Sequence, residues 1–117
     1  MLVPVTKEEA YFTDWQEGAY NFEIKLDKES MPFGYLIVSI TSPTEAKLWF
    51  HIDVDFTKQY AKVIKQDYKW VEDKLKDNGI KTVRAFMPEY CKDKGTLVAR
   101  LLKFSAPETL YVVTKEI

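Results

Sequence analysis

The hydrophobic and polar positions of this chain follow a strand period in the first half and a helical period later. From residue 20 to 26, large apolar side chains alternate with polar ones, which predicts a half-buried strand. A polar turn leads to a nearly continuous apolar run over 33–40, which predicts a strand buried on both faces. A third strand is predicted over 46–54, so this half indicates an antiparallel three-strand meander.

The period changes at Lys58, where apolar positions recur at helical spacing. They share one helix face: Tyr60, Ile64, Tyr68, Val71 and Leu75. Gly79 is expected to end this helix, because glycine readily takes the left-handed conformation that closes one. Further on, the pattern predicts a strand over 82–87, a helix over 96–104 and a strand over 110–115.

The N-terminal region begins with a helix-start signal. Thr6 and Glu9 form a capping box, which predicts a short helix running to about Gln16 and ended by Gly18. The order is then a short helix, three strands, a helix, a strand, a helix and a strand. It predicts an α+β fold in which helices pack on a mixed, mainly antiparallel sheet, as a single domain over 1–117.

Composition limits the classes of function. The chain has 117 residues, 46% of them hydrophobic, which suits one globular domain with a real core. Its net charge of −1 provides no basic field that would draw it onto nucleic acid or an anionic membrane. Neither partner is expected, and no apolar stretch approaches the ~20 residues that span a bilayer.

The N-terminus and the cysteine content bear on the compartment. The first residues lack the basic start and apolar run of a signal peptide. Cys91 is the single cysteine, which excludes an internal disulfide and fits a reducing compartment. We therefore expect a protein that is cytoplasmic on synthesis.

The order of elements from Tyr20 onward resembles the fold of the GCN5-related N-acetyltransferases (GNATs). The resemblance is carried by the hairpin from 22–25 to 34–37, the central strand ending at 52–55, and the helix closing at 78–81 before the strand 82–86. In that family acetyl-CoA lies in a V between the central strand and the next strand. The resemblance therefore implies a cofactor cleft beside Val54, which is either open or filled by Phe56 and Tyr60.

The family binds pyrophosphate with a turn of the form Arg/Gln-x-x-Gly-x-Gly/Ala at the start of the following helix. Small residues are needed there because side chains would hold the phosphates away from the backbone N–H groups. The corresponding residues here contain no glycine: Lys58, Gln59, Tyr60, Ala61, Lys62 and Val63. We therefore expect no cofactor. Lys58, Lys62 and Lys65 would supply positive charge if acetyl-CoA did bind, but the interpretation that we favour is a solvated helix face.

Two further features depart from the family pattern. The second helix lacks the tyrosine that protonates the leaving thiolate, and Tyr90, just before it, is only a stand-in. Fewer than twenty residues precede Tyr20, where the family usually has two helices that close over the substrate. Truncated relatives of this kind are known among small proteins of tailed bacteriophages.

That resemblance implies a non-catalytic protein that acts by protein contacts, as a phage particle or head-assembly protein found in the host cytoplasm or the virion. The alternative is a divergent N-acetyltransferase that transfers an acetyl group from acetyl-CoA to an amine. His51 or Asp53 would then be the base and Tyr90 the acid.

His51, Asp53 and Asp55 are the other candidate chemistry, because alternate residues of a strand share one face. They offer a general base or, through one nitrogen and two carboxylates, metal ligands. The competing interpretation, which we favour, is that they are the ordinary polar residues of a solvent-facing strand, and no metal site is expected. Cys91 is a potential nucleophile, but the chain has no second histidine to activate it, so a small buried hydrophobe is favoured.

Two tryptophans are candidate interface residues. Trp70 lies off the apolar stripe of its helix and is expected to be partly exposed, as is common for anchors at protein contacts. Alternatively it fills a gap beneath the N-terminal segment. If the protein is structural, Trp15, Trp70 and the edge strands are where we expect an interface, with a protein partner or a second copy.

Overall fold

The computed structural model describes residues 1–55, 57–86, 92–105 and 112–117. The elements are β1 (Leu2–Pro4), β2 (Tyr20–Ile24), β3 (Gly34–Ile40), β4 (Glu45–Ile52), α1 (Lys58–Asp77), β5 (Thr82–Phe86), α2 (Lys92–Leu101) and β6 (Val112–Glu116). They form a six-stranded sheet in the order β1-β2-β3-β4-β5-β6. Neighbouring strands are antiparallel except β4 and β5, which are parallel and connected through α1. The predicted α+β class with a mixed, mainly antiparallel sheet is confirmed.

The main core lies between the helices and one face of the sheet. Strand β4 alternates, so that Leu48 and Phe50 are buried against the helices. Helix α1 buries the predicted face, with Tyr60 half-buried at its start: Ile64, Tyr68, Val71 and Leu75. Each such fully buried side chain contributes about 1.5–3 kcal/mol. No helix within the described ranges is long and apolar enough to cross a membrane.

A second core lies on the opposite face of the sheet, beneath the segment 5–19. It is centred on Phe12, Tyr35 and Ile37, with Trp15 and other apolar residues packed around them. Strand β3 therefore contributes to both cores, and it is buried from Gly34 to Val38. This confirms the strand buried on both faces that the continuous apolar run predicts.

The short helix predicted to run to Gln16 does not form. The capping-box bonds are present: the Thr6 N–H donates to Glu9 Oε1 at 2.9 Å and the Glu9 N–H to Thr6 Oγ1 at 3.3 Å. The chain then makes turns instead, because so short a helix is marginal by itself and Phe12 packs in the second core. Strand β1, which was not predicted, pairs with β2.

The ends of the two helices differ in how well they match the pattern. Gly79 has φ +84° and the Ile80 N–H donates to Leu75 O at 3.0 Å, so α1 ends as expected. Helix α2 ends at Leu101 rather than 104, because Lys103 adopts φ 63° and the Phe104 N–H donates to Ala99 O at 2.9 Å.

The other boundaries shift by a few residues. Helix α2 begins at Lys92, not 96, and β4 ends at Ile52, two residues before the predicted end. The predicted strand residues 87, 110 and 111 lie outside the described residues.

Gly34 marks a close approach between two strands. It pairs with Ile52, and a Cβ at this position would overlap the backbone carbonyl of His51. The Asp53 N–H donates to Phe33 O at 2.7 Å beside it. Only glycine allows the hairpin to lie this near the end of β4, which positions the residues considered next.

Candidate functional site

His51 is the penultimate residue of β4 and lies on the sheet face away from the helices. Phe50 and Ile52 point into the main core, as the strand alternation predicts. The residue is only 8% exposed, so the expectation of a solvent-facing position is wrong for His51, whereas Asp53 and Asp55 are exposed as expected. The Tyr35 ring, its register partner on β3, lies 5.1 Å from the imidazole between centroids.

Asp53 closes a polar cluster at the end of β4. Its Oδ1 forms an ion pair with His51 Nε2, and its Oδ2 accepts a 2.7 Å hydrogen bond from the Tyr11 hydroxyl. Burial, followed by the hydrogen bond to this carboxylate, raises the pKa of the Tyr11 phenol well above its ordinary value. Both oxygens of Asp53 therefore have partners within the protein.

A second hydroxyl–carboxylate pair ties the N-terminal segment to the sheet. The Tyr35 hydroxyl donates to Asp14 Oδ2, and the ring of Phe12 stacks on Tyr35 with centroids 4.2 Å apart. The segment 5–19 thus covers the face on which His51 lies. Tyr11, Asp14 and Tyr35 were not identified from the sequence, because nothing local indicates contacts across 42 and 21 residues.

The metal alternative is not supported by the geometry. Asp55 is exposed beyond the end of β4. Across the described part of the chain, no group of three or more His, Cys, Asp or Glu side chains is placed to hold a metal ion. The spacing His51-x-Asp53-x-Asp55 therefore yields one ion pair instead of a three-ligand site.

The start of α1 carries the residues that a cofactor turn would use. Lys58, Gln59 and Lys62 are exposed, while Val54, Tyr60 and Ala61 are half-buried. The Tyr60 ring packs on Phe33 with centroids 4.7 Å apart, beside the end of β4. Thr57 caps the helix without a side-chain hydrogen bond. The first turn of α1 thus carries exposed lysines and a packed aromatic ring, and it contains no glycine.

Three residues of the sequence hypotheses cannot be placed. Tyr90, Cys91 and Phe56 lie outside the described residues. The roles proposed for them stay predictions.

The two candidate interface tryptophans have different surroundings. Trp15 is half-buried in the second core and its indole N–H donates to Val5 O at 3.0 Å. Trp70 is 52% exposed on α1. It forms one wall of an apolar groove with a volume of about 460 Å³, here called the Trp70 groove, whose main lining residues are Tyr20, Phe22, Val38, Ile40, Trp70 and Lys74.

The groove and the polar cluster lie at opposite ends of the sheet. Ile40 is the last residue of β3 and Tyr35 is near its start, which separates them by roughly 17 Å along the strand. Trp70 and Lys74 likewise lie in the second half of α1, away from Lys58. The exposed apolar surface is therefore separate from the start of α1.

Comparison with known proteins identifies the architecture. No protein-family model matches the sequence, and no curated protein matches it. A domain from Methanocaldococcus jannaschii superposes with a TM-score of 0.64 at 16% identity, covering 87% of this chain and 69% of that one. Tetrahymena GCN5 gives 0.55 at 9% identity, with 87% and 70% covered. The protein has a GNAT-like fold.

An acetyltransferase with its cofactor bound shares this fold. The Campylobacter jejuni N-acetyltransferase PseH, in complex with acetyl coenzyme A, superposes with a TM-score of 0.56 at 11% identity, covering 86% of this chain and 70% of that one. Identities at this level show the GNAT-like fold alone.

In this chain β4 and β5 pair from Glu45 opposite Thr82 to Trp49 opposite Phe86. Within the described residues, positions 50–52 of β4 pair with β3 only.

Proposed function

We propose that this protein uses a GNAT-like fold without acetyltransferase activity and acts through contacts with another protein. The observation that carries the proposal is the enclosure of the candidate base: His51 is 8% exposed, is paired with Asp53 and lies under the segment 5–19. A general base must reach the proton that it removes, within hydrogen-bond distance or through one water. Here the imidazole nitrogen Nε2 is already engaged.

The start of α1 supports the same conclusion. Ala61 and Val63 fall where the family turn has glycine and Gly/Ala, so neither position is a glycine, and the Tyr60 ring is packed on Phe33. Backbone N–H groups of a helix start bind phosphate only when the phosphate can approach them. A solvated lysine face then accounts for Lys58 and Lys62 without a ligand.

The partner is a protein in this proposal because exposed apolar surface remains after folding. Trp70, Tyr20 and Ile40 are 52%, 63% and 47% exposed around one groove. Rimmed apolar patches of this kind are typical of protein contact sites. A phage particle protein as the partner rests on the sequence resemblance, since the structural comparisons bear on the fold alone.

Acetyl-CoA binding tests the proposal by calorimetry. We expect no heat of binding from wild-type protein at millimolar acetyl-CoA or CoA, with PseH as the positive control because it binds this cofactor. Micromolar binding that weakens in Lys62→Ala would overturn the proposal and favour the second candidate, a divergent N-acetyltransferase. His51→Ala would then abolish turnover while circular dichroism stays unchanged.

A further inference from the structure

The Trp70 groove arises from a step in the sheet. In the pairing of β2 with β3, Tyr20 lies opposite Val38, while β3 continues to Ile40. The last two residues of β3 therefore project past the start of β2. Gly18, with φ +74°, lies in the turn that leads into β2. The Ile40 side chain at the step therefore has β4 on one side and no strand on the β2 side.

Helix α1 supplies the other wall of the groove. The ring of Trp70 stands edge-on to Phe22, with centroids 6.4 Å apart at an interplanar angle of 85°. This contact holds the indole upright, although half of its surface stays in water. A rigid aromatic wall of this kind loses little conformational entropy when a partner packs on it.

The groove carries one positive charge. Lys74 Nζ lies 5.8 Å from the centre of the Trp70 ring. Neighbouring lysines are neutralised along the helix, Lys69 by Asp73 at 3.3 Å and Lys76 by Glu72 at 3.6 Å. Lys74 has no carboxylate partner among the residues that the structure describes. A carboxylate of a binding partner would give Lys74 an ion pair like those of Lys69 and Lys76.

The size of the exposed surface at the Trp70 groove favours a short segment over a second copy of the chain as its occupant. The exposed parts of Trp70, Tyr20 and Ile40 amount to on the order of 350 Å². A stable dimer buries about 800 Å² on each partner, more than twice this area. A few side chains of a short segment, in contrast, fill a cavity of about 460 Å³.

From these observations we infer that the Trp70 groove binds a short apolar segment of another protein, with a carboxylate next to an aromatic or aliphatic anchor residue. The anchor packs between Trp70 and Ile40, and the carboxylate pairs with Lys74. The inference deepens the proposed function, on which it rests, by giving the chemistry of the partner.

A displayed library of random short peptides, selected on the immobilised full chain, tests this inference. We expect enriched peptides to combine an aromatic or aliphatic anchor with Asp or Glu. Trp70→Ala should weaken their binding by about 30-fold, as expected for a hot-spot residue. Lys74→Glu should weaken it by about fivefold and, in a separate selection, favour peptides with Lys or Arg in place of the acids.

Lys65→Glu is the matched control, because Lys65 is exposed on the same helix but outside the groove. It should leave both affinity and selectivity unchanged. Selection that enriches nothing above the Trp70→Ala background, or equal losses in Lys65→Glu and Lys74→Glu, would overturn the inference. So would a concentration-dependent dimer in sedimentation that Trp70→Ala abolishes, because the occupant would then be a second copy.

The result is independent of the cofactor experiment. If the selection yields no peptide and the protein does not bind acetyl-CoA, the inference about the groove is rejected. The proposal that the protein lacks acetyltransferase activity is then unaffected. Acetyl-CoA binding together with selective peptide binding would remove the proposed lack of activity and leave the groove as an accessory contact site.

Discussion

At the scale of single residues, two tyrosine hydroxyls bind carboxylates on the sheet face where His51 lies, one just after β4 and one in the segment 5–19. Tyr11 binds Asp53 and Tyr35 binds Asp14. A hydrogen bond to a charged acceptor contributes more than a bond to a neutral one. The cluster around His51 therefore stabilises the folded chain.

Tyr11→Phe removes one hydroxyl of this cluster and tests its contribution. We expect the free energy of unfolding to fall by about 1 kcal/mol, less than is usual for a charged acceptor, because Tyr11 is 45% exposed. Urea denaturation at neutral pH measures the change. Tyr20→Phe is the control, since the Tyr20 hydroxyl makes no hydrogen bond within the described ranges; equal effects of the two substitutions would show that the cluster adds nothing.

The face of His51 could be predicted from the sequence, but its burial could not. Strand alternation separates His51 from Phe50 and Ile52, and the structure agrees. The cover over that face comes from Tyr11 and Asp14, which contact residues 42 and 21 positions away. No local pattern encodes such pairs, so a solvent-facing side chain was the natural expectation.

At the scale of elements, Glu72 joins three parts of the fold. Its Oε1 lies 2.5 Å from Lys115 Nζ on β6 and accepts a 3.1 Å hydrogen bond from Tyr68. Lys115 also donates to Leu102 O, just past α2, at 2.9 Å. Burial acts to raise the pKa of the Glu72 carboxyl, but the bond and charge of Lys115 outweigh it and lower the pKa below its ordinary value.

Lys115→Met removes this cation and should lower the free energy of unfolding by about 2 kcal/mol at neutral pH. A carboxyl whose pKa is depressed by folding stabilises the protein above its unfolded pKa, and that stability is lost as the pH falls through the folded pKa. The difference between wild type and variant should therefore shrink below about pH 4.5, the ordinary value for Glu. Urea denaturation across pH 3–7 measures it.

The control for this pair is Lys69→Met, which breaks an exposed pair with Asp73 on the surface of α1. It should change the stability by less than about 0.5 kcal/mol. A difference for Lys115→Met that does not change with pH would contradict the electrostatic explanation.

Helix ends illustrate how far elements can be predicted. Gly79 predicts the end of α1, because glycine is the residue most suited to the left-handed conformation at a helix C-terminus. Its φ of +84° agrees with this prediction. Helix α2 ends with the same hydrogen-bond pattern around Lys103, at φ 63°. Lysine is not typical of this position, so the sequence pattern predicts a helix end at residue 104, three residues beyond the observed end at Leu101. Likewise, the predicted capping bonds of Thr6 and Glu9 are present. No helix follows them, because Phe12 packs in the second core instead.

At the scale of the whole molecule, the sheet separates two cores of unequal size. The main core holds both helices against one face, and the smaller second core holds the segment 5–19 against the other. Strand β3 is shared, with Leu36 in the main core and Ile37 in the second. The segment is attached by fewer buried side chains than the helices, so it should open at lower free energy.

Phe12→Ala tests this difference by native-state hydrogen exchange. The ring is 9% exposed and stacked on Tyr35, so its loss should loosen the segment 5–19 first. We expect exchange of the Val5 and Gln16 amides to accelerate by at least about tenfold, equivalent to about 1.4 kcal/mol of opening free energy. The amides of α1 should change less.

Leu75→Ala, in the main core, is the comparison variant, and it should accelerate exchange throughout the chain because it lowers global stability. If Phe12→Ala affected α1 as strongly as the segment 5–19, the two cores would be one cooperative unit.

The order of the sheet has a consequence for how the protein is made. Because the strands lie in chain order from β1 to β6, each new strand leaving the ribosome finds its partner already synthesised. The pairs of β3 with β2 and with β4 need only short loop closures, while α1 lies between β4 and β5 and α2 between β5 and β6. The sheet can therefore be assembled one strand at a time at its growing edge, with no strand inserted between two that are already paired.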